Sequence, residues 1–135
     1  METVRTTYLG GYRTQATHVL SSQRIITDAP LDNNGKGEAF SPTDLVSAAL
    51  TSCMITLMDI TANGKGFSLG DVTAKTTKVM AANPRRISQL VIEFDLSAKA
   101  YSERERTILE QAAKHCPVAK SIHPDIQLDV SFHYE

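Results

Sequence analysis

Apolar and polar positions alternate along this chain with two periods, and each change of period marks an element. Residues 3–8 and 12–20 are extended, Thr- and Tyr-rich runs split by Gly10-Gly11, which predicts two strands and a turn. A short third run covers residues 24–27. Residues 28–40 then hold Pro30, Asp32-Asn33-Asn34-Gly35 and Gly37, the composition of a loop. Ser41 suits a helix N-cap, Pro42 the first helical position, and Asp44 stands where a capping box places its acid. Residues 45–62 continue with almost no strong polar break and stop at Asn63-Gly64. Val46, Ala49, Leu50, Cys53, Leu57 and Ile60 fall on one stripe of this helix, with Asp44, Ser47, Thr51 and Asp59 as its polar edge. A helix this apolar needs cover on most sides, and a second copy of the chain is the simplest cover.

Two strands follow, over residues 69–80 and 86–98, around a turn at Ala82-Asn83-Pro84. In the second, Leu90, Ile92, Phe94 and Leu96 alternate with Val91, Glu93 and Asp95, which predicts one strongly buried face. Ser102 and Glu105 form a second capping-box pattern, and Ile108, Leu109, Ala112, Ala113 and Cys116 form the stripe of the helix behind it. Pro117 ends that helix and opens another turn over residues 118–122. Ile126, Leu128, Val130, Phe132 and Tyr134 alternate in a final strand. The order ββ(β)αββααβ predicts an α+β fold with a largely antiparallel sheet. No repeat or boundary interrupts it, so residues 1–135 read as a single domain.

Length and composition narrow the function. The chain has 135 residues, 41% hydrophobic, enough for one core. A net charge of −1 gives no support to a nucleic-acid partner. No apolar run approaches the roughly 18 residues of a bilayer span, and the N-terminus lacks the pattern of a signal peptide. The expectation is a cytoplasmic protein with no membrane partner. In that compartment two cysteines point to catalysis, redox chemistry or metal binding before a structural disulfide. Neither C-x-x-C nor H-x-x-x-H spacing occurs, which disfavours a zinc site, and no cofactor motif is present. His18 reads as a strand histidine bonded to backbone, His115 as a helix-end residue, and His123 and His133 as surface residues. Residues 103–106 read as a solvated helix face.

The thiols carry the remaining chemistry. Cys53 lies mid-helix, where a cysteine alone would read as a small core residue. Cys116 precedes Pro117 at a helix start, where the positive end of the dipole favours a thiolate. A thiolate that attacks a peroxide becomes a sulfenic acid, and a second thiol converts that to a disulfide.

The segment Ser41-Pro42-Thr43-Asp44-Leu45-Val46-Ser47-Ala48-Ala49-Leu50-Thr51-Ser52-Cys53 resembles the S/N-P-x-x-L-x-x-A-x-x-x-x-C helix of the OsmC/Ohr family. Cys116-Pro117-Val118-Ala119 resembles its second motif, C-P-V-[SA], and the order of elements is similar across the whole chain. Residues 27–38 resemble a less-studied branch of that family rather than the organic hydroperoxide resistance proteins. The resemblance implies a thiol peroxidase acting on organic hydroperoxides, with Cys53 as the attacking and Cys116 as the resolving residue. It also implies a sheet packed on a long central cysteine-bearing helix, an intertwined homodimer with these helices packed centrally and both sites at the subunit interface, and a dithiol reductant of lipoyl type. An Arg from the first strands, Arg13 or else Arg24, would support the thiolate. The family's Glu ten residues before the first cysteine, which orients that Arg, is Thr43 here, with Asp44 and Glu38 as nearby substitutes. The departure at residue 43 keeps two other readings open: a dimer that binds a small apolar or sulfur-containing ligand without turnover, and a redox sensor.

Overall fold

Each of the two longer helices begins where side chains close its first turn. In the computed structural model, which describes all 135 residues, Ser41 Oγ accepts the Asp44 N–H at 3.1 Å and Asp44 Oδ2 accepts the Ser41 N–H at 3.0 Å. Helix α1 (Pro42–Gly64) runs from this cap. Ser102 and Glu105 make the same exchange, at 3.1 and 2.9 Å, ahead of α2 (Glu103–Lys114). A cap of this kind contributes about 1 kcal/mol. Both were legible as sequence patterns.

The chain divides into two compact units, Met1–Val46 and Ser47–Glu135, with the division inside α1. The first holds an antiparallel meander of β1 (Val4–Gly10), β2 (Arg13–His18) and β3 (Arg24–Thr27). Gly10, Gly11 and Tyr12 turn the chain between β1 and β2 with φ of 85°, 60° and 65°. Glycine takes this region at no steric cost, which explains the pair. Strand β1 is exposed along almost its whole length, with Tyr8 65% and Leu9 51% exposed.

Residues 28–40 fold back on β3. Thr27 bridges Phe40, the Asp28 N–H donates to the Phe40 carbonyl at 3.0 Å, and the Glu38 N–H donates to Asp28 Oδ2 at 3.1 Å. Gly35 lies against Ala29 so closely that a Cβ would fall 1.7 Å from the Ala29 carbonyl oxygen.

In the second unit β4 (Thr73–Ala81), β5 (Arg86–Asp95) and β6 (Gln127–His133) form a sheet in the order β4-β5-β6. β4 and β5 are antiparallel, but β5 and β6 are parallel. The largely antiparallel expectation holds, with β5–β6 as the one parallel pair. A parallel pair requires a crossover longer than a hairpin, and α2 followed by α3 (Pro117–Ser121) supplies it. Leu90, Ile92, Phe94 and Leu96 are fully buried, as their alternation predicts, and Phe94 stacks on Phe132 with ring centres 5.3 Å apart. Leu109, Ala113 and Cys116 bury the face of α2 and its extension.

Helix α1 corrects two expectations. Its buried face is Ser47, Leu50, Thr51, Met54, Met58 and Ala62, whereas Ile60 is 60% exposed. The buried stripe is rotated from the one expected because Thr51 turns inward, its hydroxyl bonded to Thr76 Oγ1 at 2.6 Å. A paired hydroxyl costs little to bury, so Thr51 sits on the inner face and not on a polar edge. The helix is also long and apolar enough to cross a membrane by length and composition, with a mean hydropathy of 1.6. Its hydroxyl residues hid this, since Ser and Thr interrupt an apolar run without lowering its mean hydropathy greatly. Met54, Met58 and Ala62 bury one face of the helix in the core, while most of the apolar stretch is only partly covered within the chain.

Gly35→Ala is expected to lower stability by about 1–3 kcal/mol, the usual range for forced overpacking. Denaturant melts read the loss, and faster proteolysis within residues 28–40 locates it.

Candidate active site

Cys53 sits midway along α1 and is half-buried; Cys116 is fully buried at the junction of α2 and α3. Cys116 is the N-cap of α3. Its Sγ accepts the Ala119 N–H at 3.4 Å, and Pro117 takes the first helical position, where no backbone donor is needed. The fold brings the two thiols close enough for Cys53 to act on the ionisation of Cys116, and neither is in a disulfide.

Burial pushes the Cys116 thiol above its ordinary value of 9.0; the Ala119 N–H opposes this, and the hydrogen bond and charge of Cys53 add to it. The expectation that a helix start would favour a thiolate at residue 116 is overturned. Helix α3 spans five residues, and desolvation outweighs what its N–H groups supply. Cys116 is thus held as a neutral thiol, and charge on one sulfur opposes charge on the other. Such a pair ionises one sulfur at a time.

Arg13 opens β2 in the unit Met1–Val46, with its side chain about one-third exposed. Its Nη1 lies 3.7 Å from Glu38 Oε2. Of the two acidic substitutes read from the sequence, Glu38 is the one that faces Arg13, while Asp44 caps α1. Thr43 offers only a hydroxyl, 3.3 Å from Ser41 Oγ. Arg24 stands exposed at the start of β3. The sequence reading passed over Asp28, which is 1% exposed and holds the Glu38 backbone. Its signal was its place two residues after the apolar pair Ile25-Ile26, at the end of a short strand, where an acid is rarely carried inward.

The histidines bond locally. His18 Nδ1 meets Ser21 Oγ at 2.6 Å, and His115 Nδ1 meets the Gln111 carbonyl at 2.7 Å. His123 Nδ1 accepts the Asp125 N–H at 3.0 Å, and His133 Nε2 lies 3.3 Å from Ser131 Oγ.

Comparison with known proteins follows this geometry. The family model described as OsmC-like protein matches residues 35–131, a span that takes in both cysteines. The chain belongs to the OsmC-like family. Among solved structures, an osmotic stress induced and detoxification response protein from Psychrobacter arcticus 273-4 is 48% identical. The match covers 98% of this OsmC-like chain and 96% of that one, with a TM-score of 0.93. An organic hydroperoxide resistance protein from Legionella pneumophila shares the fold at 18% identity, 98% coverage of both chains and a TM-score of 0.77. Another, from Vibrio cholerae O1, holds captopril in one of its active sites; it is 15% identical, with 98% and 92% coverage and a TM-score of 0.74. No curated protein matches the chain.

At neutral pH iodoacetamide is expected to alkylate Cys53 well before Cys116, as read by peptide mass spectrometry over time. Alkylation of Cys116 should set in only above pH 9. The folded thiol holds its proton at a higher pH than the unfolded one, so its contribution to stability is complete below pH 9.0 and is lost as pH rises beyond that value. Melts across this range check the sign.

Proposed function

We propose that this OsmC-like protein is a thiol peroxidase that reduces organic hydroperoxides through Cys53 and Cys116. The observation that carries the reading is that a half-buried thiol and a fully buried one, from distant stretches of chain, lie near enough for one to influence the ionisation of the other. Membership of the OsmC-like family and the hydroperoxide resistance proteins among its structural neighbours support it.

In this reading Cys53, as thiolate, attacks the terminal oxygen of the hydroperoxide. The O–O bond breaks, the alkoxide takes a proton and leaves as alcohol, and Cys53 becomes a sulfenic acid. Cys116 then displaces the sulfenic oxygen as water, and a Cys53–Cys116 disulfide forms. A dithiol, of lipoyl type by resemblance, reduces the disulfide by exchange and is itself oxidised to a cyclic disulfide. The thiolate that forms at Cys53 is compatible with a neutral Cys116, because the second sulfur stays protonated until it attacks. Arg13 stabilises the thiolate and the departing oxygen; this role comes from the resemblance.

The reading includes a homodimer in the cytoplasm. An apolar α1 with Ile60 in the open, and a strand β1 with Tyr8 and Leu9 exposed, support a second copy as cover. Sedimentation at micromolar concentration is expected to give twice the 14.8 kDa of the chain; a monomer contradicts the dimer.

Thr43 favours a second reading, a dimer that binds a small apolar or sulfur-containing ligand without turnover, since residue 43 brings no carboxyl group. Steady-state assays with cumene hydroperoxide and dihydrolipoamide separate the two. Wild type is expected to turn over and Cys53→Ser to fall to the uncatalysed background. Cys116→Ser should react once and hold a sulfenic acid that dimedone traps. Full turnover by Cys53→Ser contradicts the peroxidase.

A further inference from the structure

The two sulfurs differ in reach as well as in ionisation. Cys116 has no exposed surface and Cys53 is half-buried, both in the chain taken alone. A second copy can only cover more surface, so the burial of Cys116 holds in any assembly. The backbone around it is pinned. Cys116 Sγ accepts the Ala119 N–H at 3.4 Å, its carbonyl accepts the Lys120 N–H at 3.2 Å, and Pro117 fixes the turn between them. Leu109 and Ala113, on the α2 stripe that Cys116 continues, are fully buried with it.

Reduction of a disulfide begins with attack of a thiolate on one of its two sulfurs, and the other sulfur leaves. The incoming sulfur approaches along the line of the S–S bond, so the attacked sulfur needs an open side away from its partner. Of the two, Cys53 is the one with surface in the open. Attack at Cys116 would first require the α2–α3 junction to come apart, with loss of the hydrogen bonds that pin it.

We propose that the reductant enters at Cys53 and that Cys116 is the sulfur that leaves, an assignment whose place in a turnover rests on the thiol-peroxidase reading. The first thiolate of the dithiol bonds to the Cys53 sulfur as the Cys53–Cys116 bond breaks. The electron pair goes to the Cys116 sulfur, which takes up a proton. The second thiolate then bonds to the first, and the pair of the Cys53–reductant bond returns Cys53 to thiolate. Of the two thiol protons of the reductant, one ends on Cys116 and the other in solvent. The reductant loses two electrons and the disulfide gains them. Cys53 thus meets hydroperoxide and reductant in turn, while Cys116 touches neither. The leaving sulfur is received by the Ala119 N–H, the donor that holds it in the reduced protein. A donor there eases charge on a sulfur that burial otherwise keeps neutral.

The test uses the full wild-type chain and forms the disulfide without peroxide. The protein is oxidised with diamide, freed of excess oxidant and exposed for seconds to glutathione, a monothiol that leaves a mass tag on the sulfur it attacks. Acid stops the reaction before the released Cys116 can expel the tag, and the peptides are mapped by mass spectrometry. The tag is expected on Cys53 over Cys116 by at least about tenfold, since a buried thiol is inert where an accessible one reacts. A tag on Cys116, or one shared equally, overturns the assignment, as does a protein whose thiols diamide fails to join. Turnover of cumene hydroperoxide is measured in parallel. A protein that takes the tag on Cys53 but is inert to hydroperoxide overturns the reading of the preceding section and upholds this one.

Discussion

The proximity of Cys53 and Cys116, which lets one thiol act on the ionisation of the other, is the constraint on which the rest depends. One sulfur is fixed by a long apolar helix and the other by a helix junction that Pro117 makes unavoidable. Each needs its own support. α1 is anchored at its start by the Ser41–Asp44 exchange and midway by the inward Thr51–Thr76 bond. Cys116 is held by the Ala119 N–H, so its sulfur is a structural cap and a chemical partner at once. Burial decides the division of labour: it keeps Cys116 protonated and leaves Cys53 the more accessible of the two.

Much of this fold was legible as local chemistry. The boxes at Ser41 and Ser102 are short-range hydrogen-bond patterns that involve three or four residues, so the sequence displays them whole. The alternation of Leu90, Ile92, Phe94 and Leu96 likewise records one buried face directly. The parallel pairing of β5 with β6 was hidden because strand direction is set by the crossover and not by the strand's own residues. The rotation of α1 was hidden for a related reason. Whether Thr51 faces out or in depends on Thr76, which arrives from β4.

The site was legible unevenly. Both cysteines stand in motifs, and the fold sets them together. Their ionisation was misjudged at Cys116, because a helix start is visible in sequence while depth of burial is not. Glu38 could be named only as one of two acids near Thr43, and the loop geometry separates them: Asp44 is consumed as a cap and Glu38 faces Arg13. Asp28 was passed over altogether. Its burial and its bond to the Glu38 N–H are properties of the folded chain. Gly35, packed against Ala29, is what lets that loop close.

The most direct measurement is peptide mapping of the reduced wild-type protein after brief exposure to a small molar excess of cumene hydroperoxide. The expected result is one cross-linked pair of peptides joining Cys53 to Cys116, lighter by two hydrogens, in step with the alcohol produced. Both thiols recovered free and unmodified would contradict the central claim.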